Sequence, residues 1–270
     1  MSECFRYVFI KNEKSKDSKD FKDEIFLHGI ALYEVIRIVS GKALFLESHL
    51  ERLNKSASKL EQNIWLNSNQ IKEGVAKLIA LNDTKEGNIK LVFHIENRNK
   101  TFYAYFVKHY YPQKEQYENG VLTLVHPAER PIPNAKVYNH QLRSKTNDII
   151  KDAEIFEVLL LNSMGNITEG SRSNLFLIKN NELHTSLDTS VLEGIIRSKV
   201  LEIAKKLNIP IRKHSLPFNH LSDYESAFLT GTSLRILPIR KINSIAYSCS
   251  NPLLKKLSNC LQNEIENYLQ

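Results

Sequence analysis

The sequence pattern over residues 31–60 predicts a strand, a turn and a second strand, followed by an amphipathic helix. Residues 31–39 alternate in polarity and are rich in β-branched side chains, which is typical of a strand. Residues 40–42 (Ser-Gly-Lys) indicate a turn, and a second strand over 43–46 would complete a hairpin. Apolar side chains then recur at helical spacing: Leu46, Leu50, Leu53, Ala57 and Leu60. This order predicts a mixed fold containing both sheet and helix.

The rest of the chain continues this mixture of the two periods. Strands are predicted at 88–96, 101–110, 121–126, 156–163 and 174–179. Helices are predicted around 71–79 and at 143–153, 193–207 and 252–269. The polar segment between Pro112 and Gly120 is typical of a linker. We therefore predict an α/β (α+β) fold with a small N-terminal α/β domain (1–111), an interdomain linker (112–119) and a larger C-terminal domain (120–270).

The net charge of +7 and the isoelectric point near 9.1 raise the question of a nucleic-acid partner. Nucleic-acid footprints cluster basic residues on one patch. Here Lys and Arg are spread along the chain, and the densest run, residues 11–17, also contains Glu13 and Asp17. We interpret the excess charge as a solvated surface and expect no nucleic-acid partner.

The cysteines and the apolar runs bear on the compartment. Cys4, Cys249 and Cys260 show no paired spacing of the metal-binding or redox kind, so we expect no metal site. Such a sparse, odd number fits a reducing compartment. The first residues lack the apolar stretch of a signal peptide, and no run reaches the length of a membrane span. We expect a cytoplasmic protein without a membrane partner.

Four segments carry polar and glycine residues in a distinctive order: 47–57, 166–176 (Asn-Ile-Thr-Glu-Gly-Ser-Arg-Ser-Asn-Leu-Phe), 192–197 and 228–239. Together they resemble class-IV aminotransferases, the fold-type-IV enzymes that use pyridoxal 5'-phosphate (PLP), from about residue 29 to 242. The family includes branched-chain and D-amino-acid aminotransferases and aminodeoxychorismate lyase. The resemblance implies a two-domain, D-amino-acid-aminotransferase-like fold of type IV, in which the larger C-terminal domain (120–270) binds PLP, and it implies a homodimer.

The resemblance also implies a lysine that tethers PLP as a Schiff base and shuttles the Cα proton of the substrate. In the family this lysine is followed by x-x-Asn and precedes the motif glutamate by about thirty residues. Lys136, in Lys136-Val-Tyr-Asn139, matches that pattern. The alternative is Lys145, which we expect at the polar start of a helix and turned towards water. We assign the catalytic role to Lys136.

Glu169 resembles the family's partner for the pyridine nitrogen, where a carboxylate keeps that nitrogen protonated. It could instead be an ordinary turn glutamate after residues 164–166. Asn174 would hold the same loop in shape.

The phosphate of PLP is a dianion and needs fixed donors. Arg52, in His49-x-x-Arg52, resembles the family's phosphate arginine, and its alternative is a helix-surface residue. A predicted helix start would offer backbone N–H groups to the same anion. The family usually has Thr where Ile196 stands, so a hydroxyl contact is lost there. The cofactor-binding candidates on these loops are Gly194, Ile195, Ile196, Gly231 and Thr232.

Three residues are candidates for the substrate. Tyr33 matches a pocket aromatic of the family, although a core strand residue would look the same. Lys90 stands on a strand where many relatives carry a carboxylate-binding arginine, and a lysine is not a bidentate clamp. Ser233 lies near where the substrate carboxylate is usually held. His28-Gly29 replaces a frequent Gly-Asp-Gly, so the exact substrate stays open.

The resemblance predicts an enzyme that moves an amino group between a small amino acid, with branched-chain ones among the candidates, and a 2-oxo acid. One alternative is aminodeoxychorismate lyase, which releases pyruvate and 4-aminobenzoate for folate synthesis, and the short chain favours it slightly. Another is a non-catalytic binding module on the same scaffold. Intact Lys136, Glu169 and Arg52 disfavour that module.

Overall fold

The computed structural model describes residues 2–270, which fall into two compact units. The first unit contains the chain up to Tyr110, together with Ala135–Tyr138 and Tyr268–Gln270. The second contains Tyr111–Asn134 and Asn139–Asn267. Within residues 2–270, none of the helices combines the length and apolarity needed to span a bilayer.

The first unit is an antiparallel six-stranded sheet with two helices. Its strands are β1 (Val8–Lys11), β2 (Lys14–Asp17), β3 (Ile30–Val39), β4 (Lys42–Ala43), β5 (Gly87–Glu96) and β6 (Asn99–Val107), in the spatial order β2-β1-β6-β5-β3-β4. Its helices are α1 (Leu46–Ser58) and α2 (Ser68–Leu81), and short 3₁₀ turns cover Ser18–Asp20 and Asp23–Phe26. The edge strand β2 and its neighbour β1 were not predicted.

The two faces of this sheet bury different side chains because residues alternate across a strand. Leu32 and Ile36 of β3 belong to an aliphatic cluster with Leu50 and Leu53 of α1. Tyr33, one position along, belongs to a second cluster that is rich in aromatic rings. The apolar stripe predicted for α1 is thus confirmed, and it covers only one of the two faces of the sheet.

The predicted strand over 43–46 is confirmed only at Ala43 and is wrong for residues 44–46. β4 consists only of Lys42–Ala43, and Leu46 is the first residue of α1. Phe45 adopts a positive φ of 53°, which ends the extended backbone and places Leu46 on the helical apolar stripe.

The second unit is built on a mixed sheet. Its strands are β7 (Val121–Pro127), β8 (Glu157–Leu161), β9 (Asn166–Gly170), β10 (Asn174–Lys179), β11 (Glu182–Thr185), β12 (Ile211–Lys213), β13 (Leu216–Pro217), β14 (Ser226–Gly231), β15 (Arg235–Ile242) and β16 (Ile245–Ala246). The spatial order is β12-β11-β10-β14-β15-β7-β8-β9-β13, with β16 paired to β15. The helices are α3 (Lys114–Asn119), α4 (His140–Asp152), α5 (Ile195–Lys206) and α6 (Pro252–Leu269), with 3₁₀ turns at Asp188–Ser190 and Phe218–Asp223.

Several predicted elements of this unit are confirmed by their observed bounds. α6 and β10 coincide with the predicted 252–269 and 174–179. α4 begins three residues earlier than predicted, because the Asn139 side chain accepts a hydrogen bond from the N–H of Leu142 at 2.9 Å and caps the helix there. The segment 112–119 contains α3, whose start is closed by a capping box between Gln113 and Gln116.

Candidate active site

Lys136 lies in a short extended stretch, Ala135–Tyr138, that runs beside β3. Its carbonyl accepts a hydrogen bond from the N–H of Tyr33 at 3.1 Å, and its own N–H donates to Ser56 Oγ at 3.1 Å. The side-chain Nζ lies 4.6 Å from the centroid of the Tyr33 ring. Backbone pairing therefore directs this amine onto the aromatic face of the first sheet.

The rival lysine, Lys145, lies on α4 in the second unit and is exposed, as its polar surroundings predicted. Lys136 is only partly exposed and packs on an aromatic ring. This difference in environment favours Lys136 as the functional amine.

Arg52 is buried on α1 and forms a fork with Glu34 of β3. Arg52 Nε donates to Oε1 at 2.8 Å and Nη2 donates to Oε2 at 2.5 Å, while His49 Nδ1 contacts Oε2 at 2.7 Å. Burial alone would raise the pKa of Glu34, but Arg52 and His49 outweigh it and lower that pKa to about 2. Burial also lowers the pKa of His49. Arg52 is thus not a helix-surface residue, and its orientation is set by a neighbouring carboxylate.

Glu34 and His49 were missed in the search for site residues. A signal was present, because Glu34 occupies an inward position of β3 between Leu32 and Ile36. A carboxylate at such a position needs a cationic partner nearby.

Tyr33 and Lys90 lie on the aromatic face, on the neighbouring strands β3 and β5. The Lys90 Nζ lies 5.0 Å from the Tyr33 ring centroid and 4.3 Å from that of Tyr138. Because Lys136 Nζ packs on the same Tyr33 ring, the first unit brings together Lys136, Tyr33 and Lys90. Arg52 instead pairs with Glu34. Leu32 and Ile36, which lie two positions before and after Glu34 on β3, belong to the aliphatic cluster that packs against α1.

Glu169 lies in β9 of the second unit and is buried, so it is not a surface turn residue. Its carboxylate accepts hydrogen bonds from Arg130 Nε at 2.8 Å, Asn174 Nδ2 at 3.1 Å and the N–H of Leu192 at 3.2 Å. Arg130 was missed, although its position six residues before Lys136 could have drawn attention to it. These donors, one of them cationic, favour the ionised form of the carboxylate.

Asn174 joins this carboxylate to the start of α5. Besides Glu169, its Nδ2 donates to the Leu192 carbonyl at 2.8 Å. A Cβ atom at Gly194 would lie 2.1 Å from Asn174 Oδ1, so only glycine permits this approach. The second unit thus brings together Glu169, Asn174 and Gly194.

The start of α5 suits an anion. Gly194 is its N-cap, and among residues 2–270 no side chain caps it by a hydrogen bond. The side chains of Ile195 and Ile196 are buried, so what they can offer a ligand is backbone N–H.

The second candidate phosphate loop is the turn between β14 and β15. It is closed by a hydrogen bond from the N–H of Leu234 to the Gly231 carbonyl at 3.1 Å, with Thr232 and Ser233 at its tip. Thr230 precedes this turn and pairs with Asn174 across β14 and β10. Its buried hydroxyl has no hydrogen-bond partner among residues 2–270.

A second buried carboxylate, Glu157, organises the loop that follows Glu169. It accepts hydrogen bonds from Ser171 Oγ at 2.7 Å, Ser173 Oγ at 2.9 Å and the N–H of Arg172 at 3.2 Å. Glu157 was also missed, because it stands well before the motif in an otherwise apolar strand. The Ser-Arg-Ser sequence is therefore explained by a buried acceptor that needs these donors.

Comparisons with known proteins bear on the family to which this chain belongs. The sequence profile described as "Amino-transferase class IV" matches residues 31–242. The chain is 28% identical to a D-alanine aminotransferase of Bacillus licheniformis, with 94% of each chain covered. It is 27% identical to an aminodeoxychorismate lyase of Bacillus subtilis (strain 168), with 92% of this chain and 89% of the relative covered.

The fold is similar to that of a branched-chain aminotransferase from the thermophilic archaeon Thermoproteus uzoniensis, solved with norvaline. The TM-score is 0.85 at 23% identity, with 98% of each chain covered. The α/β (α+β) fold expected from the motifs is thus confirmed, and it contains two sheets. The matched range also agrees with the predicted 29–242, and the chain belongs to the class IV aminotransferase family.

Proposed function

We propose that this enzyme is a PLP-dependent aminotransferase that moves an amino group between a small or branched-chain amino acid and a 2-oxo acid. The observation that carries the proposal is Glu169, a buried carboxylate that accepts hydrogen bonds from Arg130, Asn174 and the Leu192 N–H. A buried anion held in this way fits a protonated ring nitrogen.

The other donors also fit this cofactor. Gly194 and Ile195 offer an uncapped helix start to a phosphate dianion, and Thr230 carries a buried hydroxyl without a partner among residues 2–270, beside Asn174. In the first unit Lys136 supplies a primary amine and Arg52 a buried guanidinium. The residues that would hold PLP are Lys136, Arg52, Glu169, Asn174, Gly194, Ile195, Ile196, Gly231 and Thr232.

When bound, PLP supplies an aldehyde for the substrate amine and a ring that withdraws electrons from the substrate Cα. Glu169 would hold the proton on the ring nitrogen. Lys136 Nζ would take the proton from the substrate Cα and deliver it to the C4′ carbon of PLP, on the other side of the substrate nitrogen. Tyr33 would orient the substrate against Lys136, because its ring already lies beside that amine. Lys90 and Ser233 are the candidate contacts for the substrate carboxylates.

A second candidate function is aminodeoxychorismate lyase. The chain resembles such a lyase at 27% identity and a D-alanine aminotransferase at 28%, so the two relatives favour the two reactions almost equally. The reactions differ in what leaves the enzyme. A transaminase forms a 2-oxo acid from Leu, Ile, Val or D-Ala, whereas the lyase releases pyruvate from aminodeoxychorismate. Both assays on one preparation separate them.

The cofactor assignment is tested by reduction. PLP is added to the purified protein, the product is treated with borohydride, and the labelled peptide is identified by mass spectrometry. We expect the label on Lys136, and Lys136→Ala to lose both label and turnover while remaining folded. Lys145→Ala is the matched control and keeps both. A label on Lys145, or near-normal turnover of Lys136→Ala, would overturn the assignment.

We also infer a homodimer that works in the cytoplasm. The dimer rests on the family resemblance, and light scattering of the purified protein tests it. The compartment is supported by Cys4, Cys249 and Cys260, which are all free thiols. Subcellular fractionation of the source cells tests the compartment.

A further inference from the structure

Lys90 is a charged side chain in an aromatic enclosure. It is 2% exposed, and its Nζ lies between 4.3 and 6.0 Å from four ring centroids: Tyr138, Tyr33, Phe26 and Tyr105. Aromatic faces attract an ammonium group, but they do not replace a counter-ion for a lysine taken out of water. Such a site therefore requires an anion.

The anion in the structure is Glu3, from the segment that precedes β1. Its two carboxylate oxygens accept hydrogen bonds from Lys90 Nζ at 2.9 and 2.8 Å. The hydroxyl of Tyr105 donates to the same carboxylate at 3.1 Å. Burial, and then the Glu3 charge, raise the pKa of Tyr105, so this hydroxyl keeps its proton.

Backbone contacts hold the Glu3 segment against the sheet. Cys4 forms a bridge with Val107 of β6, and the N–H of Phe5 donates to the Phe106 carbonyl at 2.7 Å. The N–H of Glu3 donates to Asp23 Oδ1 at 2.9 Å. The carboxylate is thus delivered to Lys90 from a position 87 residues away in sequence.

The two partners differ in their access to water. The Glu3 side chain is 34% exposed, whereas Lys90 is 2% exposed and sits on a central strand. Glu3 can rotate into solvent and be rehydrated, but Lys90 cannot follow it. The pair therefore opens at low cost only when another anion replaces Glu3.

We propose that Glu3 is an exchangeable internal counter-ion that gives the substrate pocket two modes, a proposal that rests on the aminotransferase function. With an apolar amino acid in place, Glu3 neutralises Lys90. With an amino acid or oxo acid that has a second, distal carboxylate, the substrate pairs with Lys90 and Glu3 moves out. Lys90 is paired in both modes, so one pocket serves both substrate classes.

The position of Lys136 supports this assignment. Lys136 Nζ and Lys90 Nζ lie 4.6 and 5.0 Å from the centroid of the same Tyr33 ring. A substrate whose amine reacts where Lys136 stands therefore lies beside a ring that Lys90 also contacts. Lys90 is therefore available to a second carboxylate of a substrate that is held beside this ring.

Binding of glutarate, a dicarboxylate that cannot transaminate, tests the exchange without turnover. Calorimetry compares the wild-type holoenzyme, Glu3→Gln, Lys90→Met and the double variant. We expect Glu3→Gln to bind glutarate about tenfold more tightly, because the internal competitor is gone. Both variants that lack Lys90 should lose the binding. Glu13→Gln, which removes an exposed glutamate of the same unit, is the matched control and should behave as wild type.

Steady-state kinetics test the two modes. In Glu3→Gln we expect kcat/KM for leucine to fall, because Lys90 then lacks an anionic partner. We expect kcat/KM for glutamate to rise because its KM falls. The ratio of kcat/KM for glutamate to kcat/KM for leucine should therefore increase at least about tenfold. The double variant removes both charges, so it should recover leucine turnover and lose glutamate turnover.

Two results would overturn the proposal. One is a Glu3→Gln enzyme with unchanged glutarate affinity and an unchanged substrate ratio. The other is an equal loss for leucine and glutamate, which would make Glu3 only an anchor of its segment. If the PLP-bound protein transaminates neither leucine nor glutamate, the proposed function is wrong. The order of the glutarate affinities among the variants still decides whether Glu3 competes with an external carboxylate for Lys90.

Discussion

The Glu34 carboxylate binds the Arg52 guanidinium through both oxygens, at 2.8 Å from Nε and 2.5 Å from Nη2. A bidentate fork of this kind fixes the plane of the guanidinium as well as its position. Arg52, the candidate phosphate ligand, therefore receives its orientation from a residue that need not touch the cofactor. Glu34 is a positioning residue in this scheme.

The first prediction is that Glu34→Gln weakens both the fold and PLP binding. The change leaves the buried Arg52 without its anion, which should lower the free energy of unfolding by about 3 kcal/mol. PLP affinity, measured by fluorescence titration, should fall about tenfold, since Arg52 is no longer held in one orientation. Glu51→Gln removes an exposed glutamate that pairs with Lys55 on the same helix. It should change stability by less than about 0.5 kcal/mol. Equal effects of the two variants would contradict the role of Glu34.

The second prediction concerns pH. Folded Glu34 has a pKa of about 2, below its ordinary value of 4.5, so the unfolded chain takes up this proton first. The stabilisation from Glu34 is complete above about pH 4.5 and is lost as the pH falls towards 2. The difference in unfolding free energy between wild type and Glu34→Gln should therefore narrow over this range in urea titrations. A difference that stays constant would show that the Glu34 pKa is not depressed.

The third prediction is that Glu169→Gln lowers kcat by about 100-fold while changing substrate KM little. An amide cannot stabilise a protonated ring nitrogen as a carboxylate does. The ring absorbance of the loaded enzyme should shift as well, which gives a readout independent of turnover. Glu118→Gln, an exposed glutamate near Lys114 on α3, should match wild type. If Glu169→Gln raised KM alone, its assignment to the ring nitrogen would be wrong.

The fourth prediction compares two glycines. Gly194→Ala places a Cβ 2.1 Å from Asn174 Oδ1, so Asn174 or the start of α5 must move. PLP affinity should fall about tenfold, because the backbone N–H groups at this helix start no longer converge on one phosphate position. Gly74→Ala lies within α2, where the nearest atom to the new Cβ is 3.8 Å away. It should instead raise the free energy of unfolding by about 0.5 to 1 kcal/mol. Unchanged PLP affinity in Gly194→Ala would remove this helix start from the site.

The fifth prediction concerns Glu157. Four donors converge on its carboxylate, so Glu157→Gln should lower the free energy of unfolding by about 2 kcal/mol, and Ser173→Ala by about 1 kcal/mol. Urea unfolding checks both values. A Glu157→Gln protein as stable as wild type would show that the loop holds its shape without this carboxylate.

Local sequence was enough to predict elements whose pattern is complete within one segment. The four-residue steps of Leu253, Leu257, Leu261 and Ile265 predicted α6 with its observed bounds. The apolar run of β10 was equally self-contained. The short edge strand β4 was mispredicted, since a positive φ at Phe45 is a backbone choice that the apolar pattern does not show.

By itself, the sequence determined the family and the candidate residues Lys136, Glu169, Arg52 and Gly194, because motif spacing is a property of the chain. Only the tertiary structure decided their partners. Arg52 meets Glu34 across 18 positions, Glu169 meets Arg130 across 39, and Lys90 meets Glu3 across 87. Strand order and register decide which charges become neighbours, and burial makes each pairing necessary. Neither quantity can be read from the spacing of residues along the chain.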